Sequence, residues 1–368
     1  MSKWCEQLET EFAAWLGVRG AVAAGFGRAA LWLALEAAEV GGGEVLVPEL
    51  ICAQVTEAVR RAGARPAFYR VRRDLTVDAG EFEAALTPRT RAAIVVHYWG
   101  RVLPETSALA EICRRRGVFC LEDCALALGA VAGGCRAGSF GAAAVFSFTK
   151  SDWCYGGGLV ASDSEAYLAR VRALATDFSR SDARLACCYG LLRRLDFAAN
   201  RPRWCGLATQ AGLRLQRICF PGARDFYDAG RMDAALPEFA APRALKLLRG
   251  LADSTVRRHA IVTRLYESLG ARGGAFLWPE SSAENTAAFV PLLVPEGSSA
   301  LDWVNAADES GVTLRLTWPA YQKHEAGQRT EARKWWAERV VLLEVHPQLS
   351  ASEVERIAKT LRRLAMRE

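Results

Sequence analysis

The chain has 368 residues, of which 51% are hydrophobic and 24% are charged. This balance is typical of a globular protein that buries a sizeable core, and the length suggests two or three domains. The net charge of +6 is small for such a chain. No stretch combines the basic density and the aromatic residues of a nucleic-acid groove, so we expect no nucleic-acid partner.

Targeting segments and a disulfide framework are not indicated. The first residues, MSKWCEQLETEF, are polar and lack the apolar centre of a signal peptide. No uninterrupted apolar window of about 18 residues occurs, so we expect no membrane partner. The eleven cysteines do not fall into paired C-x-x-C sets. We therefore expect reduced cysteines, no metal site and a cytoplasmic protein.

The first half of the chain alternates strands with helices. Apolar runs predict seven strands: GAVAA, EVLVPEL, RPAFYRV, RAAIVVHYWG, VFCLEDC, AAAVFSF and GGLVASD. Helical periodicity fills the segments between most of them, and glycine or proline ends several of these helices. Continuous apolar strands separated by helices are typical of a mostly parallel sheet that is covered on both faces.

The second half has a different pattern. Residues 164 to about 245 lose the strand signal and are predicted to be helical. Within them, the amphipathic and basic segment 180–220 indicates a subunit-interface or crossover helix, or alternatively a membrane-surface helix. The remaining strands and helices predict a smaller α+β domain. We therefore divide the chain into residues 1–245 and 246–368, and we expect a capping box at Ser350.

Three features fall at the predicted carboxyl ends of strands, where open α/β sheets bind ligands. A glycine-rich turn, Gly25 to Arg28, opens a helix and suits an anion, although many such turns need glycine for geometry alone. Asp123 ends an apolar strand and is either a site carboxylate or a helix N-cap. Lys150 follows Ser147 by three residues and is either a reactive amine or a surface lysine.

Together these features match the needs of pyridoxal phosphate (PLP). That cofactor requires a phosphate cup, a carboxylate against its pyridinium nitrogen, and an amine that reacts with its aldehyde. The chain presents the three in the order glycine-rich turn, strand-end aspartate, Ser-x-x-Lys. A nucleotide-binding Rossmann protein is disfavoured because the turn lacks the third glycine of that fingerprint.

Several longer stretches resemble a known family. The most specific is LTVDAGEFEAALTPRTRAAIVVHYWG, and LEDCALALGA, GCRAGSFGAAAVFSF, GRMDAA and VVLLEVHPQLSASEVERI also fit. These stretches resemble the fold-type I PLP enzymes, and within them the DegT/DnrJ/EryC1/StrS family of sugar aminotransferases. The resemblance implies an aspartate-aminotransferase-like fold. It has a mostly parallel seven-stranded sheet flanked by helices, and a smaller C-terminal α+β domain.

The resemblance also implies roles for particular residues. Lys150 is expected to be the Schiff-base lysine and general acid/base, and Asp123 to pair with the pyridinium. Ser147 and the amides of Gly27 and Arg28 are expected to hold the phosphate. The family binds its cofactor at a homodimer interface, so a homodimer is expected.

The chain departs from the family pattern at several positions. Its lysine follows the serine by three residues, whereas the family usually has five. Leu126 stands where a glutamine or histidine is usual, and Cys52 stands at the place of an aromatic residue. Ala229 replaces the asparagine that the partner subunit usually supplies. The residue that stacks on the cofactor ring is therefore open, with His97 or Trp99 as candidates.

The function expected from these features is a PLP-dependent aminotransferase. It would move an amino group from an amino acid donor, such as glutamate, to a ketone on a sugar or another secondary metabolite. Two alternatives remain open: a PLP-dependent lyase or dehydratase, and a non-catalytic family member. Intact Lys150 and Asp123 argue against the last. Arg315 could bind a substrate carboxylate or be a surface residue.

Overall fold

The computed structural model describes residues 3–151, 154–178, 187–188, 190–191, 232–269, 284–318 and 330–365. The strands are β1 (Gly20–Ala24), β2 (Glu44–Pro48), β3 (Arg65–Tyr69), β4 (Thr90–Val96), β5 (Phe119–Asp123), β6 (Val131–Ala132), β7 (Cys135–Arg136), β8 (Ala143–Ser147), β9 (Gly158–Ser162), β10 (Phe289–Leu293), β11 (Leu314–Leu316) and β12 (Val340–Glu344). The helices are α1 (Lys3–Leu16), α2 (Gly27–Ala37), α3 (Ala53–Arg61), α4 (Ala79–Ala85), α5 (Thr106–Arg116), α6 (Glu165–Thr176), α7 (Ala241–Arg249), α8 (Leu251–Leu269), α9 (Ala300–Asp308), α10 (Glu331–Arg339) and α11 (Ala351–Ala365).

Seven strands form the main sheet, in the order β1-β9-β8-β5-β4-β2-β3. The neighbours from β8 to β3 all pair in parallel, while β9 pairs antiparallel with both β8 and β1. Strand β1 therefore runs in the same direction as the five parallel strands. Consequently the segments that follow β1, β4, β5 and β8 all lie at one edge of the sheet. The prediction of a mostly parallel α/β sheet is confirmed.

Both faces of the main sheet are buried. In β8, Val145 packs with the helices that include α2, while Ala144 and Phe146 pack with α1 and α7 on the other face. Phe12 of α1 contacts Phe146 edge to face, with 4.8 Å between the ring centroids. Successive residues of a strand point to opposite faces, and both faces of β8 are buried, so apolar residues follow one another along the strand without alternation.

A second, three-stranded antiparallel sheet is formed by β10, β12 and β11. It has its own apolar cluster, to which α8, α9 and α11 contribute. The capping box at the start of α11 is confirmed. The Glu353 amide donates to Ser350 Oγ at 3.3 Å, and the Ser350 amide donates to Glu353 Oε2 at 2.8 Å.

Some expectations need correction or fall outside the described residues. Cys188 is disulfide-bonded, so the expectation that every cysteine is reduced is wrong there. Its neighbour Cys187 is reduced, so the bond does not join these two adjacent residues. Most of segment 180–220, and Ala229, lie outside the described residues. None of the helices in the described ranges is both long and apolar enough to cross a membrane.

Candidate active site

A cavity of about 860 Å³, including its open mouth, lies at the edge of the main sheet where β1, β4, β5 and β8 end. It is lined by all five residues that the sequence predicted for the site, which are Gly27, Arg28, Asp123, Ser147 and Lys150. Its other walls are mostly apolar, with a few polar groups: Phe26, Leu31, Ile51, Cys52, Gln54, Val55, Val96, His97, Ala125, Leu126, Val145, Thr149 and Trp318. Residues that end or follow five strands, β1, β2, β4, β5 and β8, therefore meet in one pocket.

One wall of the cavity is the N-terminus of α2. The preceding residue, Phe26, is extended and supplies no side-chain cap to the helix. Gly27 lies so close to β8 that a Cβ atom there would be 2.9 Å from Ser147 Cβ and 3.2 Å from Ser147 Oγ. Glycine is thus required for this approach, which brings the Ser147 hydroxyl beside the first amides of the helix. Such a helix start suits a phosphate.

Arg28 adds positive charge to the same wall. Its guanidinium lies 5.4 Å from the centroid of the Phe26 ring, and Nη1 is 3.4 Å from Gln54 Oε1. Both neighbours also line the cavity. An anion bound at the start of α2 would therefore meet a guanidinium as well as a hydroxyl.

Asp123 is the buried carboxylate of the cavity. It pairs with Val145 across β5 and β8, so it shares a sheet face with Val145 and Ser147. Its Oδ1 accepts a hydrogen bond from the Ala125 amide at 3.0 Å, but no helix begins there, so the N-cap interpretation is wrong. Burial raises the pKa of the Asp123 carboxyl, and the Ala125 hydrogen bond, the nearby His97 and the Lys150 charge oppose the rise. A cationic partner in the cavity would stabilise the ionised form.

The adjacent carboxylate, Glu122, faces away from the cavity and supports the strand end. It accepts hydrogen bonds from the amides of Gly138, Phe140 and Gly141 at 2.8, 2.7 and 2.6 Å. His97 Nε2 donates to the same carboxylate at 2.8 Å. Four donors on a fully buried carboxylate fix the position of β5, and this fixes the direction of Asp123.

Cys124 completes a group of possible metal ligands with His97 and Glu122, whose ligand atoms lie within 4.8 Å of one another. However, the Leu103 amide donates to His97 Nδ1 at 3.1 Å, so the ring proton lies on Nε2, the atom that faces Glu122. Burial also raises the pKa of the Cys124 thiol well above its usual value. A protonated nitrogen and a protonated thiol are poor ligands, so we interpret His97 and Glu122 as a hydrogen-bonded pair that supports the strand end.

Lys150 ends a short 3₁₀ turn, Phe148–Lys150, that follows β8. The turn is closed by the Ser151 amide, which donates to the Phe148 carbonyl at 3.1 Å, and the Phe148 amide donates to the Gly157 carbonyl at 3.0 Å. The lysine side chain is half-buried and lines the cavity. This placement favours the reactive-amine interpretation over that of a surface lysine.

The structure places the residues that the sequence analysis considered for stacking on the cofactor ring. Cys52 and Leu126 both line it and bring no ring. Trp99 lies in the core, with its centroid 5.1 Å from that of Trp336, and is not part of the lining. His97 lines the cavity, but both of its ring nitrogens are in hydrogen bonds to the protein.

Trp318 is one of the lining residues that sequence reasoning missed. It comes from the segment after β11 and packs on Tyr98 and Trp99, with centroids 6.4 and 6.3 Å apart. The sequence carried no local signal for this placement. Arg315, by contrast, does not line the cavity, and its Nη2 is 3.1 Å from Glu344 Oε2. Its charge is thus paired within the small sheet.

Comparison with known proteins identifies the family. A model of the DegT/DnrJ/EryC1/StrS aminotransferase family matches residues 2–187, which is half of the chain. The chain belongs to this family. One relative is the dTDP-3-amino-3,4,6-trideoxy-alpha-D-glucose transaminase of Micromonospora megalomicea subsp. nigra. It is 42% identical to this chain over 166 residues, which cover 44% of each protein.

Two further comparisons extend this result. The GDP-perosamine synthase of Caulobacter vibrioides is 34% identical over 178 residues, covering 47% of this chain and 48% of the relative. The chain thus matches the curated relatives over about half their length. The whole fold is similar to DesI, solved in the presence of its TDP-sugar product. The TM-score is 0.74 and the identity 25%, over 100% of this chain and 86% of that one. The prediction of an aspartate-aminotransferase-like, fold-type I architecture is confirmed.

Proposed function

We propose that this family member is a PLP-dependent aminotransferase. The observation that carries the proposal is the position of Lys150 and Asp123 in one cavity, beneath the N-terminus of α2. The reactive amine, the buried carboxylate and the anion-binding helix start come from three separate strand ends. The stability of the fold does not require these three groups to lie together. A cofactor that has an aldehyde, a phosphate and a ring nitrogen requires an amine, an anion site and a carboxylate in one cavity.

The residues present fit that cofactor group by group. The helix start at Gly27, with Ser147 Oγ and the Arg28 guanidinium, would hold the phosphate. Asp123 would accept a hydrogen bond from the protonated pyridinium nitrogen, and this pairing would offset the cost of its burial. Lys150 would bind the aldehyde carbon covalently. Trp318, Cys52 and Leu126 line the cavity and would supply apolar walls to the bound cofactor.

The proposed chemistry follows from these positions. When bound, PLP supplies an electron sink for the negative charge that develops at the substrate α-carbon. Asp123 keeps the ring nitrogen protonated, which sustains that sink. Lys150 moves a proton between the donor α-carbon and the cofactor, as a general base and then a general acid. The apolar walls exclude water from the reacting atoms.

The relatives support a keto sugar as the amino acceptor. The names of the Micromonospora and Caulobacter proteins describe a transaminase for an aminosugar and a synthase of an aminosugar nucleotide. We propose an amino acid such as glutamate as the donor. We also propose a homodimer, on the family resemblance. We propose two domains, and the separate three-stranded sheet that follows α8 supports the second of them. The boundary proposed from the sequence, between residues 245 and 246, lies within α7.

The experiment that tests the function uses the donor alone. The protein is saturated with PLP, freed of excess cofactor, and mixed with glutamate without any acceptor. Transamination predicts one equivalent of 2-oxoglutarate per site, and a change from the pyridoxal to the pyridoxamine absorption spectrum. Failure to take up PLP at all would contradict the proposal.

An elimination reaction is the competing outcome, because Leu126 leaves an apolar wall where the family usually has a polar side chain. The same experiment separates the two when it is repeated with candidate amino acids in place of glutamate, again without an acceptor. A lyase would release ammonia or pyruvate from an amino acid substrate over many turnovers, and the pyridoxal spectrum would persist. Stoichiometric 2-oxoglutarate without ammonia supports the aminotransferase.

A further inference from the structure

A buried arginine joins the small sheet to the loop that carries Lys150. Arg258 lies on α8 and is 3% exposed. Its Nε donates to the Val345 carbonyl, just beyond the end of β12, at 3.2 Å. Its Nη2 donates to the carbonyl of Ser151, the residue that follows Lys150. One guanidinium therefore holds two segments that belong to different sheets.

The hydrogen bond to Ser151 completes the support of the lysine turn. The turn is already attached at its start, because the Phe148 amide donates to Gly157, and it is closed by the Ser151 amide. At its end, the Ser151 carbonyl is the attachment point to Arg258. The backbone of Lys150 lies between these two hydrogen bonds, so they fix the position of the Cα atom from which its side chain extends.

Burial of a guanidinium is costly, and the hydrogen bonds to the Val345 and Ser151 carbonyls contribute to offsetting that cost. A methionine of similar length would carry no charge to bury, and it would make neither hydrogen bond. The neighbouring His259 makes a related contact, since its Nε2 lies 2.8 Å from the Asn285 carbonyl. Two consecutive residues of α8 thus contact backbone carbonyls of other segments, and one of these segments carries the lysine.

We propose that Arg258 is a positioning residue that sets the reactive orientation of Lys150 and couples it to the small sheet. The inference deepens the proposed function, on which it rests for the role of the amine. Without the guanidinium, the Ser151 carbonyl loses a charge-assisted hydrogen bond, and the Lys150 amine samples directions away from the cofactor aldehyde. Loss of one such bond corresponds to a factor of about tenfold.

The test compares Arg258→Met and Arg258→Lys with Arg257→Met, which removes an exposed arginine from the adjacent position of the same helix. The first readout is the rate and affinity of PLP uptake by the apoprotein. The second needs no cofactor. Trace acetylation followed by peptide mass spectrometry gives the reactivity of Lys150 relative to Lys246, Lys334 and Lys359. Thermal unfolding of each apoprotein reports stability separately.

For Arg258→Met, we expect PLP affinity about tenfold weaker and a Lys150 acetylation rate that is clearly altered relative to the three reference lysines. Arg258→Lys should have a PLP affinity and a Lys150 acetylation rate between those of Arg258→Met and the wild type. An ammonium can donate to one of the two carbonyls, but it lacks the forked guanidinium that donates to both. Arg257→Met should match the wild type. If Arg258→Met does not fold, Arg258→Lys carries the test alone.

A lowered unfolding temperature with unchanged Lys150 reactivity and unchanged PLP affinity would overturn the inference, since Arg258 would then be structural only. That result differs from failure of the proposed function, in which the wild type itself takes up no PLP. In that case, the acetylation of Lys150 still reports whether Arg258 positions the amine.

Discussion

Asp123 and Glu122 are adjacent carboxylates whose surroundings assign them opposite roles, and replacing each by its amide tests this. In Asp123→Asn, the amide oxygen can still accept the Ala125 hydrogen bond, so the local backbone is retained. The negative charge, however, is lost. We expect PLP affinity to fall by about 10- to 100-fold, the range for removing a hydrogen bond between charged groups of about 1.5–3 kcal/mol.

The stability of the apoprotein should not fall in Asp123→Asn. Burial raises the pKa of Asp123 in the folded protein, so between the unfolded and folded pKa values the folded state binds more protons. Stability therefore decreases as the pH rises through this window, and above it the full cost of the buried charge is present. Asparagine is neutral at every pH. The apo variant should be at least as stable as the wild type at neutral pH, and less dependent on pH.

Glu122→Gln is the matched control. In this variant, one carboxylate oxygen that accepts hydrogen bonds from backbone amides becomes an NH₂ group, which can only donate them. We expect a loss of about 3 kcal/mol or more of unfolding free energy, measured by urea denaturation of the apoprotein. The reasoning is refuted if Asp123→Asn destabilises the apoprotein as strongly as Glu122→Gln, or if it binds PLP with wild-type affinity.

Two further predictions concern the other groups of the site. Lys150→Ala should bind PLP without any covalent bond that borohydride can reduce, and should lose the glutamate half-reaction; retained activity would contradict its role. Gly27→Ala places a Cβ 2.9 Å from Ser147 Cβ and should displace the phosphate site, so affinity should fall by about tenfold or more for PLP but not for pyridoxal, which lacks the phosphate. Equal losses for both ligands in a competition assay would show that the glycine supports the fold and not the phosphate.

Much of the site could be predicted because it depends on local rules. Apolar strands between helices imply parallel pairing, and parallel pairing brings the ends of several strands to one edge. Gly27, Asp123, Ser147 and Lys150 each follow or end a strand, so the sequence already implied that they meet. The alternation of side chains along β5 separates Asp123 from Glu122 in the same way.

The remaining features depend on contacts between distant parts of the chain. Trp318 reaches the cavity from a segment far along the sequence, and no local pattern marks it. The tautomer of His97 is set by the Leu103 amide and by Glu122, and Arg258 acts through a carbonyl more than a hundred residues away. Arg315 was a candidate for substrate binding, but Glu344 on β12 pairs with it. Such pairings follow from packing, which a single sequence does not reveal.

The most direct test of the account is the location of the bound cofactor on the chain. The protein is saturated with PLP, reduced with borohydride, digested and mapped by mass spectrometry. The chain has six lysines, at positions 3, 150, 246, 323, 334 and 359. The account predicts one pyridoxyl group per chain, on Lys150. A label on another lysine, or a label spread over several, would contradict it.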